Sequence, residues 1–521
     1  MMRDRAAAQP HTPARISGAP RKRHLTRLLP LVLVSALAGC TFIPEYTRPE
    51  APIAADWPIP PGGEGVRTDT ATATPAASVG WRQFFLDEEL QQLIALALEN
   101  NRNLRTAILN IEAARAQYNI QRAELAPSVG AGASGVRQRT PGDLSPSGQS
   151  TIASQYQVGV SMPTFEIDLF GRIRSLSQAA LAQYLATEEA RRNVQITLVA
   201  QVAETWLNLY AIEAQLELTR RTLESRQQSY DLVDARVKAG VASTLELNQA
   251  QTLLDSARSN LHALQRTREQ ARNALTLLTG VATLPPLNSD RLQRDSRILA
   301  DIPAGLPSQV LLSRPDVLSA EQRLIAANAN IGAARAAFFP NISLTALFGT
   351  ASAQLSGLFH SGSLAWNFSP TITMPIFTSG SLRSQLELAE VRRNIAVAEY
   401  EQTIQQAFRE VADALAGTAT YARQIEAEES LVDAAQRSLD LARLRYESGV
   451  DSFLQVQDAQ RTLYSAQQQL VQTKLAELQN RVALYKALGG GWLENSAGVE
   501  PGDAVPATAG AGQAPRTTQG G

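Results

Sequence analysis

Two stretches of this chain are versions of one sequence, and that duplication limits the folds open to it more than any other feature. Residues 236–254 and 445–463 align without a gap at an offset of 209. Arg236 matches Arg445, Gly240 matches Gly449, Val241 matches Val450, Ser243 matches Ser452, Leu245 matches Leu454 and Leu254 matches Leu463. A second pair, 103–127 and 316–340, aligns at an offset of 213 and ends in Pro127 and Pro340. Repeat architectures cover their faces by stacking three or more units. Two copies alone therefore predict a pseudo-symmetric subunit completed by oligomerisation.

Each copy reads as helix, strand pair, very long helix, turn and return helix. The first is placed at 87–280, with its strand pair at 128–169, its long helix at 172–239 and its return helix at 242–279. The second is placed at 314–490, with the corresponding elements at 341–377, 380–448 and 451–488, and 281–313 connects the two. The run from Arg172 to Ala239 has no glycine or proline, and that from Ser381 to Ser448 has only Gly417. At 1.5 Å per residue each would be on the order of 100 Å long. Arg, Glu and Gln punctuate both, so neither is a membrane span. Leu223, Arg226, Tyr230, Val233 and Val237 step by three and four, as do Val432, Ala435, Leu439, Ala442 and Tyr446. The return helices repeat the spacing at Ala250, Leu254, Ala257, Leu261 and Leu264, and at Ala459, Leu463, Ala466 and Leu470. Such seams predict coiled-coil pairing of each long helix with its return partner. The alternative on spacing alone is a solvated periplasmic rod or adaptor.

The strand pairs alternate with period two. Leu364, Trp366, Phe368, Ile372, Met374 and Ile376 alternate with small or polar residues, as do Tyr156, Val158, Val160 and Met162. Apolar-out, polar-in strands suit a membrane β-barrel, with half of a soluble sandwich as the alternative. Four strands cannot close a barrel, since the smallest have about eight. Three chains would supply twelve.

The single cysteine, Cys40, ends a segment with a basic stretch at Arg21, Lys22, Arg23 and Arg27 and an apolar core from Leu28 to Ala38. Residues 1–39 read as a secretory signal, too short to anchor a helix in a bilayer. Leu37 to Cys40 resembles the bacterial lipoprotein box, which makes Cys40 the expected lipidation site and 40–86 a lipidated, extended N-terminal segment. The alternative is an ordinary export signal with a chance cysteine. Residues 491–521, rich in Ala, Gly, Thr and Pro, read as a disordered tail.

Enzymatic and nucleic-acid readings fail. Residues 1–39 carry seven of the 48 basic residues and one of the 49 acidic ones, so the remaining 41 and 48 leave a charge of −7 and no electrostatic footprint for nucleic acid. Gly130, Gly132 and Gly135 match a dinucleotide fingerprint as letters, but a polar strand follows where a helix would have to begin. His11, His24, His262 and His360 are scattered, so they assemble neither a metal site nor a catalytic relay. No catalytic residue, metal or cofactor is expected.

The stretches Leu306 to Ser308, Leu311 to Asp316, Ala320-Glu321, Ala326 to Asn328 and Ile331 to Pro340 resemble the signature of the TolC-like outer-membrane efflux factors. Arg445-Tyr446, Gly449 to Asp451, Asp458 to Gln460 and the ending Ala487 to Trp492 are similar to their OprM-like, NodT-type lipoprotein branch. The resemblance covers about Cys40 to Trp492. It implies an α+β membrane protein of TolC-like fold: a homotrimer with a shared 12-stranded β-barrel in the outer membrane, a long coiled-coil α-barrel in the periplasm and a small mixed equatorial domain. It implies a passive exit duct for a tripartite efflux system, embedded in outer-membrane lipid. Its partners would be a periplasmic adaptor (membrane fusion) protein and an inner-membrane pump of the resistance-nodulation-division type. A type I secretion duct for polypeptides is the other function open to such a fold.

The two turns should form the end farthest from the strands. Gly240 and Gly449 suit the left-handed conformation of a helix C-terminus, and Ser243 and Ser452 suit N-caps. With Val241, Val450, Arg236 and Arg445 they are the expected adaptor contacts. Leu454, Asp458 and Arg461 lie at i, i+4 and i+7 on one helix face. In the family an aspartate ring with a leucine layer narrows this region, which Asp458 and Leu454 match, while Arg445 and Tyr446 match residues that tether the helices shut. The first copy has Leu245 and Gln249 instead, so threefold symmetry would give one ring of three carboxylates.

Overall fold

The structure, a computed structural model, describes residues 41–58, 76–146, 148–286, 298–300 and 308–496, in two compact units. Cys40 and the secretory signal fall outside them. The first unit joins residues 41–45, 119–179 and 328–390 and carries a single antiparallel sheet. Its strands β1 (Gly130–Thr140), β2 (Thr151–Ile167), β3 (Asn341–Ser352) and β4 (Leu364–Thr373) lie in the order β1-β2-β3-β4. β1 and β4 are therefore open edges.

Residues opposite each other in an antiparallel pair share a face. Val160, Phe348 and Trp366 form one such row, Met162, Ala346 and Phe368 the next, and Ile167, Ile342 and Ile372 another. The rows between them hold Ser161, Leu347 and Asn367, or Glu166, Ser343 and Thr371. One face is thus a continuous apolar surface and the other is mostly small and polar. The apolar face is uncovered within the subunit, with Trp366 71% and Phe368 61% exposed. A β-bulge between Met162 and Phe165 keeps it continuous. Without the extra residue, Phe165 and Ile167 would turn to the polar side. Pro163, which has no N–H to give a ladder, sits in this bulge, and its carbonyl accepts from the Thr345 hydroxyl at 2.9 Å. β4 stops at Thr373, so Met374 and Ile376 leave the strand that the alternation predicts for them. Among the described residues no helix is long and apolar enough to cross a membrane.

The second unit holds the apolar core. Its helices, some shared with the first unit, are α1 (Trp81–Phe84), α2 (Glu88–Asn100), α3 (Arg102–Ala123), α4 (Arg172–Lys238), α5 (Thr244–Thr279), α6 (Pro315–Ala336), α7 (Ser381–Glu447) and α8 (Phe453–Ala487). The single leading helix expected for the first copy is two helices. Asn101 breaks it: its Oδ1 accepts from the Asn103 and Leu104 amides at 2.9 and 3.0 Å, while its Nδ2 donates to Leu278 O at 2.8 Å. The heptad-like seams are buried at Val233, Ala250, Leu254, Ala257, Ala435 and Leu439.

Arg314 supports the junction of α6, α7 and α8. It is 6% exposed and donates to Asp316, to Glu410 at 2.9 Å and to the carbonyl of Ala487, the last residue of α8, at 2.8 Å. Residues 491–496, read from sequence as the start of a disordered tail, are held in place. Trp81 N donates to Leu493 O at 2.9 Å, Arg82 N to Glu494 O at 3.2 Å, and Arg192 lies over the Trp492 ring. These backbone bonds order residues 491–496 against α1, so the tail reading is corrected there; 497–521 lie outside the described residues.

Gly417, the one glycine of the second long run, has a steric reason. A Cβ there would lie 2.4 Å from Asn480 Oδ1, and Asn480 donates to Ala414 O at 2.9 Å and to Thr418 Oγ1 at 3.2 Å. Alanine gains up to about 1 kcal/mol over glycine in a helix interior. Displacing Asn480 forfeits two hydrogen bonds of about 1 kcal/mol each. Gly417→Ala should therefore lower the thermal midpoint in wild type but raise it in an Asn480→Ala background. The same sign in both would contradict the packing account.

The N-terminal strap is anchored in each unit by named contacts. In the first, Phe42 stacks on Phe339 at 4.5 Å and Asn328 Nδ2 donates to Pro44 O at 2.8 Å. In the second, the buried Glu321 carboxylate accepts both prongs of Arg48 at 2.7 and 2.6 Å and the Tyr46 hydroxyl at 3.0 Å. Burial, with the Glu321 charge beside it, pushes the Tyr46 hydroxyl well above the usual tyrosine range. Trp57 stacks on Phe408 at 4.8 Å.

Candidate functional site

The two hairpin turns are built alike, as their sequences are. At the end of α4, Gly240 has φ +74°, its N–H donates to Val237 O at 2.9 Å, and Val241 N donates to Arg236 O at 2.9 Å. At the end of α7, Gly449 has φ +72°, its N–H donates to Tyr446 O at 3.0 Å, and Val450 N donates to Arg445 O at 2.9 Å. Both are Schellman closures, which satisfy otherwise orphaned carbonyls and require the left-handed residue that glycine supplies without steric cost. The return helices begin differently. Ser243 accepts from Glu246 N at 3.2 Å and caps α5. Ser452 holds the N-cap position of α8, but its hydroxyl makes no capping bond. Its backbone carbonyl accepts from Gln455 N at 3.2 Å instead, so the capping role expected of that hydroxyl is corrected.

Charge and packing distinguish the turns further. Arg445 closes its own hairpin, donating to Asp451 at 2.6 and 3.2 Å. That pairing holds the Asp451 carboxyl below its ordinary range and the guanidinium above its own. Arg236 lies over the Tyr446 ring, 4.7 Å from its centroid, with its Nε buried and unpartnered. Tyr446 is 5% exposed and packs on Phe453, in one cluster with Val233, Ala250, Ala435, Leu439, Val456 and Leu463. Its hydroxyl is buried with no partner, and burial raises its pKa. Within the subunit Tyr446 is thus a packing residue that joins the two hairpins, and Arg445 is a clip within one.

Leu454, Asp458 and Arg461 share an exposed face of α8. Arg461 donates to Asp458 at 2.6 Å, both side chains are largely exposed, and Leu454 is 56% exposed. Among the described residues no hydrogen bond links this trio to Arg445 or Tyr446. The turns also expose Val241, Val450 and Leu245. The Arg445–Asp451 pair and the packing of Phe453 were not anticipated from the sequence; Asp451 entered only within the motif Gly449 to Asp451, and the signal for its pairing was that Arg445 and Asp451 flank a glycine turn. Among the described residues no group of acidic, histidine or cysteine side chains could hold a metal ion.

The family profile described as outer membrane efflux protein matches residues 93–281 and 306–490. The solvent efflux pump outer membrane protein SrpC of Pseudomonas putida is 50% identical over 468 residues, covering 89% of this chain and 98% of that protein. The crystal structure of a membrane protein from Pseudomonas aeruginosa is 46% identical with a TM-score of 0.77, covering 86% of this chain and 100% of that one. The open state of the Neisseria gonorrhoeae MtrE outer membrane channel is 38% identical with a TM-score of 0.75, covering 88% and 100%. Two duplicated hairpins, a sheet with an uncovered apolar face and these likenesses agree: the chain belongs to the outer membrane efflux protein family, as a channel of TolC-like fold in the outer membrane.

Proposed function

We propose that three copies of this chain form the exit duct of a tripartite efflux pump, gated at the hairpin turns. The observation that carries this reading is the four-stranded sheet with two open edges and an uncovered apolar face. Open edges are costly in lipid, where water cannot satisfy the backbone. Pairing β1 of one copy with β4 of the next removes every edge at twelve strands. Cys40 is the only cysteine, so once it is replaced the sole thiols are those introduced at Ser134, Val136 or Gln138 and at Asn367, Ser369 or Thr371. A reagent too short to span the three strand spacings of about 4.8 Å between β1 and β4 of one sheet joins them only between copies. In native membranes a bifunctional thiol reagent should give a ladder ending at the trimer. Monomer alone across the scan would sink the proposal.

The turns are the proposed contacts for a periplasmic adaptor, which in turn engages an inner-membrane pump of the resistance-nodulation-division type. Exposed Val241 and Val450, with Gly240, Gly449, Ser243 and Ser452 shaping the loops, offer a small apolar surface. Arg236 and Arg445 spend their guanidinium groups on Tyr446 and Asp451, so they contribute by holding the turns in shape. Gly449→Pro, which cannot adopt φ +72°, should abolish adaptor pull-down. Small apolar organic molecules are the proposed cargo, by likeness to the solvent named for SrpC. A lipid on Cys40 is supported by the strap: Phe42 stacks on Phe339, two residues before β3 begins. Mass spectrometry of the mature protein should find a diacylglyceryl thioether there.

The gate is proposed at Leu454, Asp458 and Arg461. Around a threefold axis Asp458 would give three like charges, each balanced by its own Arg461. Packing of Tyr446 and the Arg445–Asp451 clip would hold the closed arrangement, which adaptor contacts of a few kcal/mol could reverse. The expected result is higher single-channel conductance and weaker divalent-cation block in Asp458→Ala. Unchanged conductance in that variant and in Tyr446→Phe with Arg445→Ser would put the constriction elsewhere.

A further inference from the structure

Between α4 of the first hairpin and α7 and α8 of the second lies a cavity of about 860 Å³. Four basic side chains line it: Arg221, Arg226, Arg443 and Lys474. Two are neutralised nearby, Arg221 by Glu217 at 2.9 Å and Lys474 by Glu429 at 2.8 Å. The other two form no ion pair with a carboxylate among the described residues. Arg443 donates to Ser225 Oγ. Arg226 is 4% exposed, donates to Leu253 O at 2.8 Å and lies over the Tyr464 ring, with its Nε buried and unpartnered.

A buried guanidinium with no counter-charge is unusual, because removing a charge from water is costly unless an opposite charge or a full set of hydrogen bonds compensates. Burial pulls the Arg226 guanidinium below its ordinary value, and no carboxylate opposes that shift. Arg226 and Arg443 both border a space large enough for a small molecule. Thr222, Ser225, Tyr464 and Gln467 add neutral hydrogen-bonding groups to the same wall. Planar guanidinium forks match the oxygens of phosphate and carboxylate.

We propose that this cavity binds a doubly charged oxyanion, of the phosphate or dicarboxylate class, between Arg226 of the first hairpin and Arg443 of the second. The occupant neutralises the two unpaired cations and links the hairpins about four turns of α4 before Gly240. It therefore opposes any movement that separates them. Binding itself does not depend on the proposed gate or on any partner protein.

The test uses the full-length protein in detergent, titrated with inorganic phosphate against sodium chloride of matched ionic strength. A ligand that binds only the folded state raises the thermal midpoint saturably. Wild type should show that rise with phosphate and not with chloride. Arg443→Gln, whose side chain is half-buried and whose loss leaves the apolar core untouched, should need at least tenfold more phosphate for the same rise. Its midpoint without phosphate serves as the folding check, and Arg226→Lys gives a second reading, since a lysine keeps the charge but not the fork. A wild-type response no greater than that to chloride overturns the proposal. So does a full phosphate response in both variants.

Discussion

Phe368→Arg is expected to remove most of the assembled channel from the outer membrane, while Asn367→Arg, one residue away, leaves it in place. Phe368 is in the middle of β4, on the apolar face with Ala346 and Met162 beside it. A channel in the outer membrane turns that face to lipid. An arginine at the lipid-facing midplane of a β-barrel costs about 2–4 kcal/mol. Three copies would triple the cost, and each ~1.4 kcal/mol is tenfold in an equilibrium. Asn367 shares its row with Leu347 and Ser161 on the opposite face, where a charge remains hydrated. The readout is the yield of heat-modifiable oligomer in the outer-membrane fraction. Equal losses in the two variants, or a loss only in Asn367→Arg, would contradict the assignment of faces.

Arg314→Ala is expected to destabilise the helical unit by about 3 kcal/mol, the low end for breaking a buried ion pair. The low end applies because Asp316 and Glu410 keep side-chain exposures of 24% and 33% and are partly rehydrated once the guanidinium is gone. The bond to Ala487 O matters separately, because it satisfies a carbonyl at the C-terminus of α8. Arg314→Lys should recover little, since one ammonium cannot reproduce donation to Asp316, Glu410 and Ala487 together. Differential scanning of the purified protein checks both. A lysine variant as stable as wild type would mean that charge alone matters there.

What could be read without a structure was whatever rests on local periodicity or local backbone geometry. The long helices were legible because glycine and proline, the residues that stop a helix, are nearly missing from 172–238 and 381–447. The left-handed turns at Gly240 and Gly449 were legible because that conformation strongly favours glycine. Leu454, Asp458 and Arg461 were legible as one helix face, and the structure keeps that face exposed on α8. The capping bond expected of Ser452 was not reliable, since an N-cap position does not oblige the hydroxyl to point inward.

Tertiary structure decided the rest, because it depends on which distant residues meet. Period-two alternation in β2 stops being informative at Pro163, where the bulge shifts the parity, and only pairing with β3 reveals that Phe165 and Ile167 rejoin the apolar face. Tyr446 matched a tethering residue, yet whether its ring faces solvent or Phe453 depends on two hairpins packing across 213 residues, from Val233 to Tyr446. Nothing in the spacing of Arg226 and Arg443 marks them as unpaired. That follows from which carboxylates their neighbours take, a competition settled only when α4, α7 and α8 share one wall. The sequence by itself determined the elements and the periodicity of their faces, since those need only neighbours along the chain. Packing determined which of those faces found partners within the subunit and which were left for lipid, ions or other chains.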